Sequence, residues 1–135
     1  MLYWINTVVN FGAGDGKEAH MIIDKNELKN LRDELERLTD FIRKMDEKDL
    51  PYFYHCFDTM KNNIDLFLLV GGDDIRGFFP VLERDWKASH TAFLGVQEYD
   101  LREIDPEIDP RLCFYFARLV SEVGKYFERK QEFYS

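Results

Sequence analysis

Residues 52–70 read YFYHCFDTMKNNIDLFLLV, and the fold class turns on how this stretch is divided. The first part, YFYHCF (52–57), reads as a strand of aromatic side chains. The last part, IDLFLLV (64–70), is a nearly continuous apolar run, as expected for a central strand buried on both faces. GGDD (71–74) is a strong turn signal, and IRGFFPVLE (75–83) then completes a hairpin. Pro80 cannot donate to a ladder, which makes that strand an edge or breaks it there. TAFLGVQEY (91–99) reads as one more strand, and LYWINTVV (2–9) and EAHMII (18–23) supply two upstream.

Between these segments the period changes. Leu28, Leu31, Leu35, Leu38, Ile42 and Met45 recur at alternating spacings of three and four, with Phe41 widening the stripe. That spacing predicts a helix over about 25–47, ending before Pro51. Asp24 and Glu27 form a D-x-x-E capping box, and Asp33→Arg37 and Asp40→Lys44 are i, i+4 pairs on the solvated side. The heptad-like stripe is compatible with a coiled coil, but its short length favours packing against a sheet. A second helix is predicted over about 110–130, with Asp109 as its cap and Pro110 in the first position. Leu112, Phe116, Leu119, Val120, Val123 and Phe127 line one face. Cys113, Phe114 and Tyr115 add apolar surface elsewhere, as if the first turns were enclosed more fully. Gly124 inside it costs about 1 kcal/mol against Ala, which close packing against another element would explain. The expectation is a single α+β domain over 1–135: a mostly antiparallel sheet of five to six strands packed by two long helices.

The 135 residues carry a net charge of −8, with 45% apolar and 16% aromatic residues. A negative chain is repelled by phosphate backbones and anionic membranes, so neither nucleic acid nor membrane is an expected partner. A basic protein is the electrostatic complement. The apolar runs LFLLV (66–70) and LCFYFA (112–117) are too short to span a bilayer. With Cys56 and Cys113 as the two cysteines and no export signal, reduced thiols and a cytoplasmic location are expected. A monomer is the default expectation.

Four constellations bear on chemistry. The first is G-x-G-x-G-K at Gly12, Gly14, Gly16 and Lys17. It lacks the helix that must open directly behind a phosphate loop, and Asp15 repels an anion, so a turn is the expected reading. His20, His55 and His90 would meet at a zinc ion only if three strands brought them to one face, and no zinc-binding motif is present. Neither metal nor cofactor is expected. His55-Cys56 and Ser89-His90 pair a base with a nucleophile in sequence, but neighbours on a strand point to opposite faces. No nucleophile elbow occurs, so the reading is non-enzymatic.

The fourth is the acidic segment EYDLREIDPEID (98–109). Its six acids, Glu98, Asp100, Glu103, Asp105, Glu107 and Asp109, face one base, Arg102, for a local sum of −5. Its prolines favour an extended path that keeps the carboxylates out of a helix. Tyr99, Leu101, Ile104 and Ile108, displayed between the charges, would supply contact area while the acids steer association. Glu98, Asp100, Glu103, Asp105 and Glu107 are therefore the expected partner-binding residues. The alternative is a solvated loop whose last acids favour a helix N-terminus.

Small, acidic, cytoplasmic α+β proteins of this kind are similar to bacterial immunity proteins that block nuclease toxins. The likeness is one of class, carried by no family motif. It implies an inhibitor whose carboxylates occupy a cationic cleft. The alternatives are a small-ligand or regulatory domain with an aromatic-lined pocket, and an enzyme of unfamiliar type.

Overall fold

An apolar stripe at three-and-four spacing has to be covered by something. In the computed structural model of this protein, which describes residues 24–92 and 94–128, the covering elements are helices. Helix α1 spans Lys25–Met45, α2 Tyr52–Leu69, α3 Ile75–Ala88, α4 the single turn Leu101–Ile104, and α5 Pro110–Glu128. A short 3-10 turn, Val96–Glu98, precedes α4. Helix α1 packs against α2 and α5, and α2 packs against α3.

No strand or sheet occurs among the described residues, so the α+β expectation is overturned. The segments 52–57 and 64–70 are the two ends of one helix, and 75–83 begins another. Residues 91–99 hold a turn and the 3-10 segment. The segments 2–9 and 18–23, the glycine loop and His20 lie outside the described residues.

The reason is a helical period that the apolar runs conceal. On α2, Phe53, Phe57, Met60 and Ile64 recur at spacings of four, three and four, and all are buried. On α3, Phe79, Leu82 and Trp86 do the same at three and four. Pro80 lies inside α3 on its exposed side. The carbonyl that loses its helical partner to Pro80 is that of Arg76, an exposed residue where water can replace the missing N–H.

Helix α1 follows its sequence signals closely. The Asp24 carboxylate accepts a hydrogen bond from Glu27 N at 2.8 Å, one half of the predicted box. The solvated pairs re-sort: Arg37 meets Glu34 at 3.0 Å, Arg43 meets Asp40, and Arg32 pairs with Glu36. Arg32 also reaches across to α2, where its Nε donates to Asp65 Oδ1 at 2.7 Å. Leu28, Leu31, Leu35, Leu38 and Ile42 are all fully buried. At α2's end, Gly71 takes φ +72°, and the N–H groups of Gly72 and Gly71 bond the carbonyls of Phe67 and Leu68 at 2.9 and 3.1 Å. This is a Schellman stop. Asp74 then caps α3 by accepting from Gly77 N at 3.0 Å. GGDD is a turn, as read, but it joins two helices.

Aromatic rings close the core. Phe127 of α5 stacks on Trp86 and Phe79 of α3 at 5.2 and 5.3 Å, and Phe116 stacks on Phe41 of α1 at 5.7 Å.

Two outcomes follow for stability. Leu35→Ala removes a fully enclosed side chain and should cost about 2–5 kcal/mol in urea unfolding. Pro80→Ala restores a helical hydrogen bond at an exposed position and should raise stability by roughly 1–3 kcal/mol in the same assay. An edge strand at 75–83 would show no such gain.

Candidate functional site

The chain between α3 and α5 has no long helix of its own and is held down at a few points. Ser89 and His90 end α3. Val96, Leu101 and Ile108 each turn a buried side chain inward. Tyr99 is the main tether. Its hydroxyl meets Asp46 Oδ2, just beyond α1, at 3.2 Å. Its ring meets Phe53 of α2 at 4.8 Å and Phe116 of α5 at 5.6 Å, edge-on to both. Burial and the Asp46 carboxylate push the Tyr99 phenol well above its ordinary range, so it is a neutral donor at every working pH.

Between this connection and the first turns of α5 lies a groove of about 700 Å³. Val96, Leu101, Ile108, Phe116 and Val120 line it, with Cys113 and Phe114 on the α5 side and His90 also facing it. The predicted enclosure of α5's first turns is not what the structure shows: Phe114 is 74% exposed and Tyr115 43%. The opposite correction applies to the connection. Leu101 and Ile108, expected to display contact area, are buried, and Tyr99 is half-buried; Ile104 is exposed. The exposed apolar surface beside the groove therefore comes mainly from α5.

The six acids divide by local geometry. Asp100 accepts from Arg102 N at 3.0 Å and pairs with the Arg102 Nε at 3.1 Å. Asp109 accepts from Arg111 N at 2.9 Å and pairs with Arg111 Nη2 at 2.7 Å. Both are D-x-R arrangements in which the arginine side chain and backbone hold the carboxyl below its usual range. Asp105 accepts from Glu107 N at 3.0 Å. Glu98, Glu103 and Glu107 are exposed and have no ion-pair partner among the described residues. They adjoin the groove-lining Gln97, Arg102, Pro106 and Ile108 in the chain. Of the five expected partner-binding acids only Asp100 lines the groove, where it is paired with Arg102. One helical turn, α4, interrupts the extended path expected of this segment.

The nucleophile candidates resolve into structure. Ser89 is fully buried and its hydroxyl donates to the Trp86 carbonyl at 2.6 Å. His90 Nδ1 lies 2.9 Å from Ser89 Oγ and 3.0 Å from the Trp86 carbonyl. With the serine proton committed, Nδ1 carries the imidazole proton and donates, so it is no base toward Ser89. His55 is exposed while Cys56 is buried, and burial pushes the Cys56 thiol up. Both described cysteines are free. Among the described residues no group of three or more His, Cys, Asp and Glu side chains could hold a metal ion. Nor is any helix among them long and apolar enough to cross a membrane.

No protein-family model matches this chain, and no curated protein or solved structure is significantly similar to it.

Burial lowers the pKa of His90 below its ordinary 6.5, with the Trp86 carbonyl opposing this in part. The folded state therefore prefers neutral His90, and the stabilisation it carries is present above the unfolded value and lost as pH falls below it. Between pH 7 and 5.5 the urea midpoint should fall, and His90→Asn, which keeps a donor near Nδ1, should flatten that slope.

Proposed function

We propose that this protein is an acidic binding module, of the immunity or inhibitor kind, that engages a basic protein partner through the groove between residues 96–110 and α5. One observation carries the reading. Glu98, Glu103 and Glu107 stand exposed without a cation among the described residues, beside an apolar groove whose α5 wall presents Phe114 to solvent. Carboxylates that cap helices or close ion pairs are already satisfied; these three have no such partner among the described residues. Three exposed carboxylates with no cation among the described residues, each next in sequence to a residue that lines the groove, favour a cationic, amphipathic ligand over a neutral one. An enzyme that binds phosphates presents a cationic cleft of this kind, which explains how such a module would inhibit it. Phe114 and Tyr115 would supply the anchoring contact, since exposed aromatics release the most water per side chain on burial. A cytoplasmic setting with reduced thiols suits this role.

The test starts with affinity capture from the source cell at low and moderate salt. A basic protein held stoichiometrically by the wild type should be lost with Glu98→Lys/Glu103→Lys/Glu107→Lys. Its measured association rate should drop about tenfold or more at low salt. Equal rates for wild type and triple variant, or capture of no basic protein, would sink the reading. Phe114→Ala should leave the association rate nearly unchanged and speed dissociation, about tenfold for a loss of 1.4 kcal/mol.

A further inference from the structure

Most polar groups that line the groove are already engaged. Asp100 and Arg102 pair with one another, the Tyr99 hydroxyl donates to Asp46, and the Gln97 amide donates to the His90 carbonyl at 3.0 Å. The His90 ring differs. Its Nδ1 donates to the Trp86 carbonyl at 3.0 Å, and its face packs on the Trp86 ring at 4.4 Å, so its orientation is set before any ligand arrives. The proton on Nδ1 leaves a lone pair on Nε2, at the opposite edge of the ring. No described residue bonds Nε2. Nor is it sealed in the core. Among the described residues, buried side-chain nitrogen and oxygen atoms without a hydrogen bond are confined to Trp86 Nε1. Nε2 is therefore reached from outside, and His90 lines the groove.

Taking the groove as the seat of a basic partner, as proposed above, we infer that His90 Nε2 is the acceptor for an N–H of that partner's lysine or arginine, and that protonating this nitrogen releases it. A bare imidazole nitrogen accepts and does not donate, so it takes an N–H and rejects a carbonyl or carboxylate. A neutral donor satisfies it equally. Glu98, Glu103 and Glu107, next in sequence to lining residues, favour the donor that also brings positive charge. Protonation reverses both effects: Nε2 becomes a donor, and the groove gains a positive charge. The other titratable or charged groups lining the groove are Tyr99, Asp100 and Arg102 of the connection and Cys113 of α5. Tyr99 is neutral, Asp100 and Arg102 offset one another, and Cys113 is a free thiol. Burial favours neutral His90, so the acceptor is present near pH 7 and is lost on acidification.

Benzamidinium, a flat apolar body with N–H donors and one positive charge, serves as the probe, with benzamide as its neutral counterpart. Long-range proton–nitrogen spectra of the full chain should first show His90 Nδ1 protonated and Nε2 bare at about pH 7.5. Benzamidinium should then shift the backbone resonances of His90, Leu101 and Val120 with a millimolar dissociation constant, about fivefold or more below that of benzamide. His90→Asn keeps a donor near Nδ1 and lacks the acceptor. It should weaken benzamidinium about tenfold, with the urea midpoint checking the fold. From about pH 7 to 5.5 the wild-type dissociation constant should climb, approaching tenfold per pH unit below the His90 titration, while that of His90→Asn changes less than about twofold. A proton on Nε2, no groove shifts up to about 20 mM benzamidinium, or benzamide bound as tightly overturns the inference, as does His90→Asn with undiminished affinity and the same pH slope. The glutamate-to-lysine triple variant keeps His90, so the two readings separate. A captured basic protein indifferent to His90→Asn keeps the partner and removes His90 from its site. Benzamidinium held by His90 with no basic protein captured keeps the acceptor and removes the partner.

Discussion

Burial of the α1 leucine face is the constraint on which the other elements depend. Five side chains on one helix, Leu28, Leu31, Leu35, Leu38 and Ile42, are fully enclosed. At roughly 2 kcal/mol each their burial contributes on the order of 10 kcal/mol, comparable to the net stability of a whole domain. The ion pairs on the same helix are mostly exposed and contribute at most about 1 kcal/mol apiece. Packing therefore decides where α2 and α5 sit. The pair Arg32–Asp65, 2.7 Å across the α1–α2 seam, selects a register that the leucines have already made favourable.

The groove is a consequence of that arrangement. Helix α5 is fixed to α1 through Phe116 on Phe41 and to α3 through Phe127 on Trp86. The connection from α3 must then cross to the start of α5. It is held at intervals by inward side chains and by Tyr99, whose hydroxyl reaches the end of α1. A segment so anchored follows the core without filling the space beside α5. Glu98, Glu103 and Glu107 stay exposed, while their chain neighbours Gln97, Arg102, Pro106 and Ile108 line the groove.

What could be read in the sequence depended on whether period and punctuation agreed. In α1 they did: a cap, a stripe and a terminating proline all pointed to one helix, and Lys25–Met45 resulted. In 52–70 they conflicted. The aromatic ends look like strands, yet Phe53, Phe57, Met60 and Ile64 run at helical spacing straight through the polar middle. Eighteen residues without Gly or Pro was the arbitrating signal, since strands are rarely that long. In α3, Pro80 reads as the mark of an edge or broken strand, whereas an exposed proline within a helix leaves an unpaired carbonyl where water can reach it. For the site, the charge of 98–109 was legible and its division was not. Asp100 and Asp109 become caps because each stands two residues before an arginine in a turn, a geometry that composition does not carry. Leu101 and Ile108 are buried because the connection runs along the core, which depended on the helical fold being known.

The large exposed apolar residues separate the two surfaces by electrostatics more than by hydrophobicity. Tyr52, Leu66, Leu69 and Val70 belong to α2 and the turn after it, while Ile104, Leu112, Phe114 and Tyr115 gather at α4 and the start of α5. Both groups would gain from being covered, at a similar free energy per unit area. They differ in what surrounds them. Around the second group the carboxylates of Glu98, Glu103 and Glu107 oppose a second acidic chain and attract a basic one. Along the first, the flanking acids are already engaged, Asp65 by Arg32 and Lys61 and Asp58 by Asn62. In a chain this acidic, the placement and pairing of the carboxylates therefore set apart two surfaces that hydrophobicity alone would not distinguish.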